Sequence, residues 1–126
     1  MQAVVIDDDE DTCAMLAALL ARAGFGVRTF ASAAGALSAI RDARPDVVVT
    51  DLHLPEGSGA ELAQALRADP ATAHVAIVAL TGQVDPDWEI VRHFDAYLRK
   101  PFEPERLPSL LVALAAAAAA SRDRVA

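Results

Sequence analysis

Of the eleven lysine and arginine residues, only Lys100 is a lysine, and it stands in the run Tyr97-Leu98-Arg99-Lys100-Pro101-Phe102. A compact ammonium at one position of an otherwise arginine-only set points to a task that a fork-shaped guanidinium does less well. Three acidic residues close short apolar runs far upstream: Asp7 and Asp8 after Ala3-Val4-Val5-Ile6, and Asp51 after Val47-Val48-Val49-Thr50. Brought together, three carboxylates either raise one another's pKa or recruit a cation. An all-oxygen donor set suits a hard ion such as Mg²⁺ or Mn²⁺, which takes one or two carboxylates, keeps several waters and bridges to phosphate oxygens. Lys100 can then pair with Asp51 before a phosphoryl group arrives and with a phosphoryl oxygen afterwards. The chemistry these residue types suggest is acceptance of a phosphoryl group on Asp51, giving a labile acyl phosphate.

The elements that must position them follow from hydrophobic patterning. Short β-branched runs alternate with helical stretches, the pattern of a parallel sheet covered on both faces. Strands are expected at Ala3 to Ile6, Gly26 to Phe30, Asp46 to Thr50, Val75 to Leu80 and Ala96 to Arg99. Helices are expected at about Glu10 to Ala23, with Met15, Leu16, Leu19 and Leu20 on its inner face and Gly24 as its stop. Further helices follow at about Ser32 to Ala43, with Leu37 and Ile40 inward, and at Ala60 to Ala68. A short fourth helix starts at Asp85-Pro86 and ends near Phe94. A last helix runs from about Pro104 through Leu107, Leu110, Leu111 and Leu114 into an alanine tract that frays from about residue 115. Asp7, Asp8, Asp51, Thr81 and Lys100 then all fall at carboxyl ends of strands, where doubly wound sheets bind ligands.

Composition narrows the function classes. The 126 residues suffice for one domain. A net charge of −7 argues against direct binding to nucleic acid or to an anionic membrane surface, since both need a cationic face. The single cysteine, Cys13, cannot form an internal disulfide and reads as a small packing residue of the first helix. The alanine tract is too short to span a bilayer. No signal peptide precedes the first strand, and the expected location is the cytoplasm.

In order and spacing, four motifs of this chain resemble the receiver domains of two-component response regulators: Val5-Ile6-Asp7-Asp8-Asp9, Thr50-Asp51-Leu52-His53-Leu54-Pro55-Glu56-Gly57-Ser58-Gly59, Leu80-Thr81-Gly82 and Tyr97-Leu98-Arg99-Lys100-Pro101-Phe102. The resemblance covers the chain from the first strand to the last helix and implies a doubly wound (βα)5, flavodoxin-like, three-layer α/β fold with strand order 2-1-3-4-5. It implies that Asp51 is the phosphoacceptor and that Asp7, Asp8, Asp51 and the backbone carbonyl of His53 hold Mg²⁺. Thr81 becomes the switch hydroxyl, Lys100 the catalytic cation, Tyr97 the aromatic that follows Thr81, and Gly82 a backbone contact to the phosphoryl group. The side chains of His53 and Gln83 are placed to set the lifetime of the acyl phosphate. The implied donor is a sensor histidine kinase or histidine phosphotransfer domain. The implied output is a downstream protein, or a second copy of the chain, reading the surface of the fourth helix, fifth strand and last helix. Chemistry on external substrates is not expected.

Some features depart from the family or carry plainer readings. The interval from Thr81 to Lys100 is about one helical turn shorter than usual, and His93 stands where a glycine commonly ends the fourth helix. Asp9 reads as a helix cap and Asp11 as solvated surface. Two other functions compete: an unphosphorylated module that dimerises through the same face, and a phosphatase with an aspartyl nucleophile, for which His53 replaces the needed acid and the chain is too short to supply a cap domain. No output module follows within 126 residues, leaving a stand-alone receiver or a domain of a longer protein, with the Met1 start favouring the first.

Overall fold

The computed structural model describes residues 1–54, 58–82 and 92–125. Strands and helices alternate: β1 Gln2–Ile6, α1 Glu10–Arg22, β2 Gly26–Phe30, α2 Ala33–Ala43, β3 Val47–Asp51, α3 Gly59–Ala68, β4 Ala76–Thr81, β5 Ala96–Arg99 and α4 Arg106–Val125. All strand pairs are parallel, and the five-stranded sheet has the order β2-β1-β3-β4-β5. This is the expected doubly wound arrangement.

The apolar runs explain the layers. Successive side chains of a strand point to opposite faces, so each central strand feeds two cores. Val5, Val47, Val49, Val78 and Leu80 pack with Leu16 and Leu20 of α1 and Leu107, Leu111 and Ala115 of α4. Val4, Ile6, Val48 and Ile77 pack with Ala36 and Ile40 of α2 and Leu62, Ala63 and Leu66 of α3. Helix starts are fixed by side-chain caps, which satisfy amides that no helical carbonyl can reach. Asp9 accepts from the Asp11 amide at 3.1 Å and Ser58 from the Glu61 amide at 3.0 Å. Gly24, at φ +100°, turns the chain from α1 into β2, in a backbone region that favours glycine. Among the described residues no helix is long and apolar enough to cross a membrane.

Several boundaries differ from expectation. The third strand runs one residue later than Asp46 to Thr50, because Asp51 still pairs with Leu80 while the Asp46 carboxylate accepts the Gln2 amide at 2.7 Å. The fourth strand likewise extends to Thr81, which pairs with Arg99. Ser32 caps α2 rather than opening it, α3 starts at Gly59, and the last helix starts at Arg106 after a turn in which Glu103 and Pro104 accept the next amides. The inner face of α1 is Cys13, Leu16 and Leu20; Leu19 is half-buried and Met15 is 47% exposed. Met15 is about 100° around the helix from Leu16, which turns it off the core. The expected fourth helix falls largely on residues 83–91, outside the described residues, as does Gln83.

The corrected helix face has a direct test. Leu16→Ala should cost about 2–5 kcal/mol in urea unfolding because it empties a fully buried site, whereas its neighbour Met15→Ala should stay within about 0.5 kcal/mol.

Candidate functional site

The carboxyl ends of β1, β3, β4 and β5 deliver the site. Asp7 directly follows β1, where its amide continues the sheet by donating to the Phe30 carbonyl at 3.1 Å. Its side chain is buried, with one oxygen accepting the Asp9 amide at 3.0 Å and the other the Lys100 ammonium at 3.3 Å. Asp51 closes β3. Its Oδ1 accepts the His53 amide at 3.0 Å and its Oδ2 accepts Lys100 Nζ at 3.0 Å. Lys100 leaves β5 with its own amide donating to the Thr81 carbonyl at 2.7 Å, and a cis peptide joins it to Pro101. Residues 49 and 93 positions apart in sequence from Lys100 thus meet on one ammonium.

The electrostatics follow from that contact. Partial burial by itself pulls the Lys100 ammonium towards deprotonation, but the hydrogen bond and charge of Asp51, with those of Asp7, outweigh it and hold the group above the ordinary lysine value. Asp8 is exposed at the rim, and carboxylate oxygens of Asp7, Asp8 and Asp51 lie within 4.8 Å of one another. Three carboxylates against one ammonium leave an excess of negative charge, and a donor set of oxygens alone fits a hard divalent cation that accepts waters in its remaining positions. The residues present therefore fit Mg²⁺ or Mn²⁺.

The other candidates are distributed around this centre. Thr81 is fully buried at the end of β4, while the Tyr97 side chain on β5 is 48% exposed. Gly82 is exposed, and among the described residues beyond its chain neighbours a Cβ there would meet no atom within 4 Å. His53 has an exposed side chain; its amide serves Asp51, and its backbone bridges to Ser58. Asp9 is drawn below the ordinary carboxylate value by the Thr12 hydroxyl and the Asp11 amide, in keeping with a charged cap. Burial, with the charge of Asp7, pushes the Cys13 thiol up, and its Sγ donates to the Asp7 carbonyl at 3.2 Å. Cys13 is thus a packing residue with one polar contact.

One residue that matters here stood in the sequence only as the last of the Thr50 to Gly59 motif. Gly59 opens α3 directly against β3: its amide donates to the Leu52 carbonyl at 3.0 Å, and a Cβ would collide with the Asp51 carbonyl oxygen. The absence of a side chain at 59 lets the helix seat on β3. A glycine placed just after the helix cap, Ser58, is the only sequence signal of this contact.

Comparison with known proteins agrees with the geometry. Residues 3–112 match the family model described as the response regulator receiver domain. The chain is 36% identical over 104 residues to the DNA-binding response regulator MtrA of Mycobacterium tuberculosis, covering 82% of this chain and 46% of that protein. Chemotaxis response regulator CheY4 of Vibrio cholerae superposes with a TM-score of 0.83 at 28% identity, covering 90% of this chain and 97% of that one. A CheY-like receiver domain from Methylobacillus flagellatus gives 0.82 at 32%, covering 90% and 98%. The chain spans about half the length of MtrA and nearly all of the other two.

Two outcomes are expected. With chelator present, Asp8→Asn should raise Tm by about 2–4 °C because it removes one crowded charge, and Mg²⁺ should then stabilise the natural chain more than the variant in thermal melts. Gly59→Ala should cost about 1–3 kcal/mol in denaturant unfolding through overpacking against the β3 backbone.

Proposed function

The chain belongs to the response regulator receiver family of two-component systems, and from that premise we propose that it is a phosphorylation-switched signalling protein whose acceptor is Asp51. The observation that carries this reading is the Lys100 ammonium held between Asp51 and Asp7 at the carboxyl ends of the sheet. A carboxylate oxygen of Asp51 attacks the phosphorus of a phosphohistidine; the oxygen–phosphorus bond forms as the phosphorus–nitrogen bond breaks, and the donor imidazole leaves. Lys100 holds the Asp51 carboxylate beforehand and accompanies a phosphoryl oxygen afterwards. Asp7, Asp8 and Asp51, with the His53 backbone carbonyl, would hold Mg²⁺ or Mn²⁺, which when bound neutralises charge on the transferring group. In this reading the Gly82 backbone contacts the phosphoryl group.

The acyl phosphate adds about 1.5–2 negative charges and three acceptor oxygens where Lys100 is the local cation. The Thr81 hydroxyl turns to one of those oxygens, Tyr97 moves inward into the vacated space, and the surface around β5 and α4 shifts its population. A downstream protein or a second copy of this chain reads that surface. The donor is a sensor histidine kinase or a histidine phosphotransfer domain. A hollow of about 320 Å³ lined by Thr12, Met15, Lys100, Pro101, Phe102 and Pro104 gives such a donor an apolar landing beside the ammonium. His53 and Gln83 are candidates for directing or hindering the water that ends the signal; altered dephosphorylation in His53→Ala and Gln83→Ala would support that, and unchanged rates would remove it.

The deciding experiment is intact-protein mass after incubation with acetyl phosphate. One phosphoryl gain in the natural chain with Mg²⁺, absent without metal and in Asp51→Asn, is the expected result. No gain under any condition overturns the acceptor reading. Association that depends on concentration and ignores phosphodonor would then favour a dimerising module, to which the exposed Tyr97 and Val112 would contribute.

A further inference from the structure

Lys100 reaches the site on the shortest strand of the sheet. β5 has four residues and lies at an edge, so among the described residues β4 is its single ladder partner. A slip of one residue would move Lys100 by about 3.3 Å along the strand and exchange the faces of its neighbours. An ammonium bound at 3.0 Å to Asp51 would be carried out of reach. Something beyond a four-residue ladder has to fix the register.

The fixing contacts sit at the opposite end of the strand. Asp95, the residue before β5, brackets Ile77 of β4: its amide donates to the Ile77 carbonyl at 2.8 Å, and its Oδ2 accepts the Ile77 amide at 2.7 Å. The same oxygen accepts Arg67 Nη2 at 2.8 Å. Arg67, in the last turn of α3, also donates from Nη1 to the carbonyls of Ala73 and Val75, at 2.8 and 2.7 Å, and from Nε to the His93 carbonyl at 3.0 Å. One planar guanidinium thus joins α3, the approach to β4 and the approach to β5, a geometry the fork of arginine allows and an ammonium does not. Charge-assisted bonds of this kind are stronger than neutral ones.

We infer that Asp95, oriented by Arg67, pins the register of β5 on β4 and is thereby a positioning residue for Lys100. The pin acts from the amino end of the strand, and the Lys100 amide on the Thr81 carbonyl closes the carboxyl end. Both side chains are partly exposed, at 24% for Arg67 and 40% for Asp95, so truncating Asp95 opens no core cavity and the variant should fold. Its consequence for phosphoryl transfer rests on the acceptor reading above; its consequence for the strand does not.

The test uses the full chain with two readouts. Amide hydrogen exchange should quicken by about tenfold or more across β5 and at Lys100 in Asp95→Ala, with β1 and β3 unchanged. Asp95→Asn, which keeps an oxygen for the Ile77 amide, should remain near the natural chain. Phosphoryl gain from acetyl phosphate should slow by about tenfold in Asp95→Ala, and the same change should add nothing in a Lys100→Ala background, because residues acting through one contact are not additive. Unaltered exchange in β5, or an Asp95 effect of full size without Lys100, overturns the inference. A natural chain that gains no phosphoryl group sinks the acceptor reading alone, and the exchange comparison still upholds or overturns the pin.

Discussion

Crowding of like charge at the carboxyl ends of two neighbouring strands, β1 and β3, is the constraint around which this molecule is arranged. Two carboxylates about 5 Å apart repel by roughly 3–4 kcal/mol at an effective dielectric constant of about 20, and Asp7, Asp8 and Asp51 lie within that range of one another. One ammonium offsets part of this. The remainder is tolerated because the acids are fixed by structure that does not depend on them. Asp7 and Asp51 terminate strands whose apolar residues are buried on both faces of the sheet, and amides of Asp9 and His53 occupy carboxylate oxygens that the lysine does not. Core burial therefore holds a site that is electrostatically unfavourable by itself and that a bound cation would relieve.

The division of labour between the ends of the sheet follows from the same parallel topology. With every strand running in one direction, the carboxyl ends of β1, β3, β4 and β5 gather the acids, Thr81 and Lys100, while the amino ends are free for purely structural contacts. The Arg67 and Asp95 cluster belongs to that second end. The two ends communicate along the strands, so a change in pairing at the start of β5 becomes a displacement at Lys100.

Much of this was legible in the chain because the informative residues are polar and stand at the ends of apolar runs. Asp7, Asp51 and Lys100 were marked by Val-Val-Ile, Val-Val-Val and Tyr-Leu-Arg before them, and the strand order came with the family resemblance. The inner face of α1 was less legible: in Met15-Leu16-Ala17-Ala18-Leu19-Leu20 apolar residues surround the helix, so packing rather than periodicity decided that Met15 faces out. Boundaries moved by a residue where a polar side chain sits on a ladder position, as at Asp51 and Thr81. Arg67 and Asp95 are 28 positions apart and carry no local signature. An arginine in a last helical turn reads as a complement to the helix dipole, and an aspartate before a strand reads as a turn residue.

The two rims of the sheet also bear on how copies of this chain meet. A free strand edge offers unpaired amides and carbonyls to any passing chain, and natural sheets blunt such edges by brevity, charge and proline. β5 is four residues long, presents Arg99 outward and runs into Pro101 two residues after its end; β2 carries the exposed Arg28 over the Phe30 ring. Both edges thus disfavour strand addition, so sheet extension from one copy to the next, with its amyloid-like hazards, meets charge and proline at either rim.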